Sequence, residues 1–220
     1  MNSLTEENYL KTLFVLANES GEVNVIDLSK RLNIKMPTVT SMMKKLAVKK
    51  LVHYESYKPL RLTERGKKEA GIIIRKHRLT EMFLVQVMNF GWEEVHEIAE
   101  QLEHTHSPDF FEKMDEMLGY PKIDPHGSPI PDKNGKIEWK KYSKLSNCRV
   151  GEALKLTAVI DSSEEFLKFL NSRELKLGLK VKVKSIEPFD GTMVISYGKK
   201  LNETLSQTVT KRLLGELIQG

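Results

Sequence analysis

Apolar residues recur every three or four positions from Leu4 to Ala17, which predicts an amphipathic helix. Acidic Glu6 and Glu7 suit its first turn, where negative charge favours the helix dipole. Two more short helices are predicted after Gly21, and the second begins near Pro37, since proline is tolerated in a first helical turn. Two tightly joined helices, the second of them basic, are typical of a helix-turn-helix.

The next segment, LVHYESYKPLRLTERG, alternates apolar and polar residues around Tyr57-Lys58-Pro59 and predicts a β-hairpin that closes at Thr63. Three helices followed by a hairpin within 65 residues indicate a winged helix-turn-helix. In that arrangement the second helix of the motif enters the major groove and the hairpin leans on the DNA backbone. The candidate DNA contacts on the basic helix and the wing are Lys35, Pro37, Thr38, Thr40, Ser41, Lys44, Tyr57, Lys58 and Arg61.

Helical periodicity then continues through three further segments. A long helix is predicted from Glu64 to Phe90, ended by Gly91, followed by a helix from Trp92 to Thr105 and another from Pro108 to Leu118. These helices hold more apolar residues than a small winged domain can cover. We therefore expect a dimer interface along them, and the chain to act as a homodimer.

Residues 119–146 are dense in Pro, Gly and Lys, which predicts a linker or a partly ordered arm. Beyond Cys148 the pattern changes to short β-rich runs, LKLTAVI, LKVKVKSI and GTMVISY, with one short helix between the first two. This pattern is typical of a small β-barrel. The predicted fold class is mainly α with small β parts, and the expected domains are 1–73 (winged helix-turn-helix), 74–146 (helical, with the dimer interface) and 147–220 (β-rich).

The bulk composition is that of an ordinary soluble protein, with 40% hydrophobic and 30% charged residues. No apolar run approaches the roughly 20 residues needed to span a bilayer, and the first ten residues do not resemble a secretion signal. Cys148 is the only cysteine, so no intrachain disulfide and no multi-cysteine zinc site can form. We expect a cytoplasmic protein with no membrane partner.

Positive charge is concentrated in one third of the chain. Residues 24–80 hold 15 Lys/Arg against four Asp/Glu, a net charge of +11, so that the rest of the chain carries −6 of the overall +5. Such a concentration favours a face that binds a polyanion, here double-stranded DNA, because neutralised phosphates release condensed counterions. The alternative is a solvated helix face.

The candidate chemistry lies in the middle of the chain. In VHEIAEQLEH, residues His96, Glu100 and His104 are spaced by four and are expected on one helix face, with Glu103 beside them. On the preceding helix His77 and Glu81 are also four apart. Imidazole and carboxylate groups without thiolate suit manganese, ferrous iron or zinc. One or two divalent ions are therefore predicted.

Two other interpretations of this cluster stay open. Residues 93–116 carry nine acidic residues against Lys113, so the cluster could consist of solvated ion pairs. His96-Glu97 also begins the zinc-protease motif H-E-x-x-H, and Glu103-His104 ends H-x-x-E-H, which would suggest a metal-dependent hydrolase. Both motifs fail at Glu100, where they require histidine. Because no other catalytic motif is present, we expect no enzyme activity.

Five stretches together resemble the diphtheria-toxin-repressor family, which includes the iron-dependent and manganese-dependent regulators of bacteria. They are TEENYLKTLFVL, PTVTSMMKKL, RKHRLTEMFL, VHEIAEQLEH and PHGSPIP, and their order and spacing also agree with the family. The resemblance covers nearly the whole chain. It implies a metal-dependent repressor of metal-uptake genes, with a C-terminal SH3-like domain.

The resemblance also implies two metal sites. One holds Asn8, Glu100, Glu103 and His104, and the other holds His77, Glu81 and His96, completed in manganese-type members by Asp124 and His126. The SH3-like domain can donate a carboxylate, for which Asp161 is favoured over Glu164 and Glu165.

Two residues depart from the family pattern at the first of these sites. Asn8 stands where iron regulators commonly have methionine and manganese regulators aspartate, and Lys11 stands where manganese-type members can have glutamate. Of the two implied metal sites, the one with His77 is therefore the stronger prediction. Glu100 agrees with manganese types, so the expected metal is Mn²⁺, with Fe²⁺ as the alternative and Zn²⁺ or other divalent ions as substitutes in vitro. A regulator with a purely structural metal remains the rival interpretation.

Overall fold

The structure is a computed structural model that describes residues 2–160 and 162–218. The chain forms two compact units. Unit 1 consists of the chain up to Thr80 together with Ala99–Lys122 and Ile130–Glu138. Unit 2 consists of Glu81–Ile98, Ile123–Pro129 and the chain from Trp139 onward.

The first half of the chain is helical except for one short hairpin. Its elements in chain order are α1 (Leu4–Ser20), α2 (Val25–Leu32), α3 (Met36–Val48), β1 (Val52–His53), β2 (Arg61–Leu62), α4 (Glu64–Gln86), α5 (His96–Leu102) and α6 (Pro108–Met117).

Side-chain caps fix where the first helices begin. At α1 the Ser3 hydroxyl accepts from the amide of Glu6 while the Glu6 carboxylate accepts from the amide of Ser3, and Asn24 and Asp27 form the same capping box at α2. Each box pairs backbone groups that a helix start leaves unpaired. Asn33, in the left-handed conformation at φ 53°, ends α2 and turns the chain toward α3.

The winged helix-turn-helix predicted from the sequence is present in unit 1. Leu10 and Leu13 of α1, Leu28 of α2 and Met43 and Leu46 of α3 are fully buried in one core. Strands β1 and β2 pack against the same core, and Val52 pairs with Leu62 in an antiparallel register. The wing lies between these two strands.

A buried carboxylate links α1 to α3. The Glu6 side chain is 1% exposed, and its oxygens lie 3.2 Å from Nζ of Lys45 and 2.8 Å from Nζ of Lys49. Burial by itself raises the pKa of Glu6, but Lys49, the Ser3 amide and Lys45 outweigh it and lower the pKa to about 2. Glu6 is therefore ionised throughout the physiological range.

The three middle helices differ from the prediction in their ends. α4 stops at Gln86, and Asn89 rather than Gly91 takes the left-handed conformation, with φ 60°. α5 begins at His96 rather than Trp92, because the Glu94 carboxylate and its amide both bond to the backbone of Gly91 and hold a turn there. The prediction of one helix from Trp92 to Thr105 was wrong.

The segment 119–138 is not the linker that its composition suggested. It folds back in tight turns, and Asp124, His126 and Ile130 are buried. Ile123 and Pro129 form an isolated antiparallel bridge that closes the turn around Asp124 and His126. Proline and glycine here shape an ordered loop.

The second half of the chain, in unit 2, is an antiparallel sheet with two helices. The elements are β3 (Ser143–Lys144), β4 (Ala153–Val159), α7 (Glu164–Ser172), β5 (Lys180–Ile186), β6 (Met193–Tyr197), β7 (Lys200–Leu205), α8 (Gln207–Thr210) and β8 (Leu213–Ile218), and the strand order is β3-β8-β4-β5-β6-β7. Alternate residues such as Leu154, Leu156, Val181 and Val183 form the core with Leu167 of α7.

The fold class predicted from the sequence, helical with a small β-rich C-terminal part, is confirmed. The sequence pattern did not predict β7 and β8, since KLNETL is polar and LLGELI does not alternate. None of the helices among residues 2–160 and 162–218 is long and apolar enough to cross a bilayer.

Candidate metal centres

Among the described residues, one cluster of carboxylates and imidazoles lies within each unit. In unit 2 the Glu81 cluster consists of Glu81, Asp124 and His126, each nearly fully buried, with ligand atoms that lie within 4.8 Å of one another. In unit 1 the Glu103 cluster consists of His77, Glu100 and Glu103, gathered within the same distance. Buried charged groups of this density need a compensating cation or proton.

A tight turn presents two members of the Glu81 cluster. Oδ1 of Asp124 accepts hydrogen bonds of 2.9 Å from the amides of His126 and Ser128, which fixes the carboxylate against its own loop. The carbonyl oxygen of His126 accepts from the amide of Val159, so strand β4 anchors the loop from the other side. Backbone hydrogen bonds therefore hold the loop that carries both side chains.

Gly127 allows the loop to approach β4 this closely. It has a φ of 87°, and a Cβ built on it would lie 2.2 Å from the carbonyl oxygen of Thr157. Any side chain at this position would both strain the backbone and collide with the strand.

Trp92 sets the orientation of the His126 ring. Nε2 of His126 lies 2.8 Å from the Trp92 carbonyl oxygen, which can only accept, so Nε2 carries a proton. The two rings stack with centroids 5.9 Å apart, and Nε1 of Trp92 donates to Oδ1 of Asn171. In the neutral imidazole the lone pair is therefore on Nδ1, 3.6 Å from Oε2 of Glu81.

The charges in this cluster favour a bound cation. Burial works against a positive charge on His126, but the carboxylates of Glu81 and Asp124 outweigh it and raise the pKa of His126 above its ordinary value. His96 lies at the edge, half exposed, with Nδ1 3.3 Å from Oε1 of Glu81. Two carboxylates and two imidazoles without thiolate fit manganese, ferrous iron or zinc. The donor set thus fits the predicted divalent ion.

The Glu103 cluster differs from the Glu81 cluster because it contains a cationic side chain, that of Lys11 on α1. Nζ of Lys11 is 2.6 Å from Oε1 of Glu100 and 3.0 and 2.7 Å from the two oxygens of Glu103. Nδ1 of His77 donates to Oε2 of Glu103 over 2.6 Å. Glu103 is fully buried, so its charge is balanced by neighbouring side chains rather than by water.

His104 lies next to this cluster and bonds to a residue that sequence reasoning missed. Its Nδ1 donates to Oε2 of Glu7 over 2.7 Å, and both side chains are 9% exposed. Glu7 was interpreted only as a helix-dipole residue. Its position four residues before Lys11 places both on one face of α1, and that spacing was the available signal. Trp92 had no comparable signal.

The structure separates one of the residues that the sequence pattern grouped. Because α5 ends at Leu102, the expectation that His104 shares a helix face with His96 and Glu100 was wrong, whereas His96 and Glu100 both lie on α5, four residues apart. Asn8 is half-buried on α1. The expected pairing of His77 with Glu81 in one metal site stays a prediction.

Two of the three carboxylates expected from the C-terminal domain, Glu164 and Glu165, are not among the residues gathered at the cluster. Glu164 is exposed and bonds to Lys168 on α7, and Glu165 is also exposed. Asp161, the favoured candidate, lies outside the described residues.

The candidate DNA contacts lie where a ligand could reach them. On α3 the buried face carries Val39, Met43 and Leu46, while the opposite face is open. Tyr57, at the tip of the wing with φ 63°, is fully exposed. Eight of the nine predicted residues are exposed and Thr40 is half-buried, the exposed ones being Lys35, Pro37, Thr38, Ser41, Lys44, Tyr57, Lys58 and Arg61.

Three domain families match consecutive parts of the chain. Residues 1–60 match the N-terminal DNA-binding domain of the iron-dependent repressors, residues 63–132 match the metal-binding and dimerisation domain of the same proteins, and residues 143–216 match the FeoA domain.

Individual proteins are similar over these domains. The iron-dependent repressor IdeR of Mycobacterium tuberculosis is 36% identical over 133 residues, which cover 60% of the chain and 58% of the relative, so the match spans little more than half of that protein. An uncharacterised HTH-type transcriptional regulator of Methanocaldococcus jannaschii is 36% identical over 49% of the chain and 87% of its own length. These names agree with the expectation of a regulator rather than an enzyme.

The solved structures include one that matches almost end to end. A manganese-dependent transcriptional repressor in complex with manganese superposes with a TM-score of 0.87 at 28% identity, over 96% of this chain and 98% of that one.

Proposed function

Because the chain belongs to the iron-dependent repressor family, we propose that it is a transcriptional repressor that binds operator DNA as a homodimer when a divalent metal ion is bound. Mn²⁺ is the proposed ion and Fe²⁺ the alternative, with Zn²⁺ able to substitute in vitro. The genes it controls are proposed to encode metal uptake, repressed when the metal is plentiful.

The Glu81 cluster carries the proposal. Glu81, Asp124 and His126 are each less than 5% exposed, and their ligand atoms lie within 4.8 Å of one another. Two buried carboxylates facing an imidazole would repel each other without a cation between them. A bound divalent ion supplies the positive charge that balances them. Glu81, Asp124, His126 and His96 are the proposed ligands, and Asp161 remains a proposed additional one.

Oxygen and nitrogen donors explain the proposed choice of metal. Without a thiolate, the cluster lacks the soft ligand that favours zinc or copper, and carboxylates suit the harder ions. Intrinsic affinity still rises from manganese through iron toward zinc, so the supply of each metal in the cell must contribute to the selection.

The chain's own residues prepare the cluster before any ion binds. The Trp92 carbonyl holds the His126 ring so that Nδ1 faces Glu81, and the amides of His126 and Ser128 hold Asp124. Such outer hydrogen bonds fix the tautomer and orientation of ligands. The site is therefore preorganised for a cation.

The DNA-binding part of the proposal depends on α3 and the wing. Thr38, Ser41 and Lys44 on α3, with Lys35 at its N-cap, form an exposed polar face opposite the buried core face. A dimer with two such helices can read half-sites one helical turn apart. Metal binding is proposed to shift the population toward dimers with this spacing. A shift from 1:99 to 99:1 requires about 5.5 kcal/mol of differential affinity.

Fluorescence anisotropy at fixed salt tests the function. A duplex is first selected from a random pool with the Mn²⁺-loaded protein, and metal-stripped protein is then titrated with Mn²⁺ and separately with Fe²⁺ in the presence of competitor DNA. Constant salt is essential, because a basic domain binds any duplex nonspecifically. We expect tight binding that appears with metal and disappears with chelator. Equal binding with and without metal would leave a DNA-binding protein with a structural cluster and would refute metal control.

A further inference from the structure

Lys11 occupies the position in the Glu103 cluster where a cation would bind. Its Nζ lies 2.6 to 3.0 Å from three carboxylate oxygens, one of Glu100 and two of Glu103. The Lys11 side chain is only 16% exposed and Glu103 is fully buried. An ammonium group with three donors can satisfy three oxygens at once, so this lysine is the centre of the cluster rather than a neighbour of it.

The cluster as it stands does not fit a divalent ion. The two oxygens of Glu103 are engaged by Lys11, and Oε2 also accepts from Nδ1 of His77. An ion bound to the two oxygens of Glu103 would stand at contact distance from the ammonium charge, and like charges that close repel strongly at a carboxylate that is fully buried. The acidic residues alone resemble a second metal site, but the structure fills that site with a side chain.

We propose that Lys11 is a built-in cation that replaces a second divalent ion, so that each subunit holds one ion at the Glu81 cluster and ties α1 to Glu100 and Glu103 without metal. The part that concerns the Glu81 cluster rests on the function proposed above. The part that concerns Lys11 does not, because its contacts all lie within unit 1.

The replacement has a direct consequence for the chemistry of the site. Removing the ammonium takes the Lys11 cation away from the carboxylates of Glu100 and Glu103 and the imidazole of His77, whose ligand atoms already lie within 4.8 Å of one another. That donor set is the kind that binds manganese or zinc. Neutralising Lys11 should therefore create a metal site rather than only destroy an ion pair.

Counting bound ions tests the proposal. Metal-stripped full-length protein is titrated with Mn²⁺ by calorimetry, and the bound metal is counted by elemental analysis after dialysis. We expect one ion per subunit in the wild type and two in Lys11→Met, whereas Lys11→Arg keeps the charge and should still bind one. Lys49→Met is the matched control, since Lys49 also bonds to a buried carboxylate, that of Glu6, but lies outside the cluster. Two ions in the wild type would overturn the proposal.

A second background separates this proposal from the proposed function. In Glu81→Gln with Asp124→Asn, the wild-type Lys11 protein should bind no ion, and adding Lys11→Met should restore one. If the wild type binds no metal at all, the proposed function fails, yet a single ion gained by Lys11→Met would still support the Lys11 inference. Lys11→Gln, whose amide still donates to the carboxylates, is used if a thermal melt shows that Lys11→Met is unfolded. A folded neutral variant with an unchanged ion count would refute the inference.

Discussion

Nε2 of His126 donates a hydrogen bond of 2.8 Å to the carbonyl oxygen of Trp92. Because a carbonyl cannot donate, this bond decides which ring nitrogen carries the proton and turns the other toward Glu81. A backbone group 34 residues away in the chain thus selects the tautomer of a candidate ligand. The same logic, in which backbone groups fix ligand side chains, applies to Asp124.

Asp124→Asn is expected to weaken Mn²⁺ binding by at least roughly 100-fold, because changes to the outer partners of a ligand already cost up to about that much and this change removes the charge of a proposed ligand. The amide oxygen can still accept from His126 and Ser128, so the turn should survive and the melting temperature of the metal-free protein should change little. Calorimetric titration with Mn²⁺ measures the effect.

Asp132→Asn is the control for this substitution. Asp132 also holds a turn, with Oδ1 accepting from the amides of Asn134 and Lys136, but it is exposed and belongs to unit 1. Its variant should bind Mn²⁺ as the wild type does. Equal affinities for the two variants would remove Asp124 from the site.

Gly127→Ala is expected to displace the loop that carries Asp124 and His126, since the new Cβ would lie 2.2 Å from the Thr157 carbonyl oxygen. We predict a lower melting temperature and at least a roughly tenfold loss of Mn²⁺ affinity, the lower end of what disturbed ligand orientation costs. Gly178→Ala provides the comparison, because Gly178 has a similar φ of 91° with nothing within 4 Å of the added carbon. If both variants behave alike, backbone strain rather than contact with β4 explains the loss.

Glu6→Gln is expected to destabilise the protein by about 1.5–3 kcal/mol at pH 7, the usual contribution of a hydrogen bond to a charged group, because Glu6 bonds to Lys49 and to the Ser3 amide. Its pKa falls from 4.5 to about 2 on folding, so this stabilisation is complete above pH 4.5 and is lost as the pH falls toward 2. Urea unfolding of both proteins between pH 7 and pH 3 should show the difference shrinking with acidity. Glu64→Gln, an exposed partner of Lys67, should show no such trend. A pH-independent difference would contradict the assignment to ionised Glu6.

Lys44→Ala is expected to weaken DNA binding about equally for all sequences and to reduce the slope of log affinity against log salt by about 1, as the loss of one phosphate contact does. Lys44 is exposed on α3, so the substitution should not change the fold. Anisotropy titrations at four salt concentrations give the slope. Lys199→Ala, an exposed lysine of unit 2, is the control. An unchanged slope for Lys44→Ala would place this lysine outside the interface.

The sequence alone determined the helical and β-rich halves, the winged helix-turn-helix and the types of residue in the metal clusters. These features depend on local periodicity, capping and turn residues, and spacing along one helix. The positions of α3 and the wing were predictable for the same reason, because the buried residues Val39, Met43 and Leu46 repeat at helical spacing.

Only the tertiary structure decided how the candidate ligands are grouped. His96 and Glu100 are four residues apart in sequence, yet they bond in different units, and Glu7 meets His104 across 97 residues. Lys11 lies among Glu100 and Glu103 for a similar reason, since contacts between distant segments depend on how helices pack rather than on any local pattern. Spacing within one element can therefore identify candidate ligands, but the cation that neutralises their carboxylates, Lys11, comes from a distant segment of the chain.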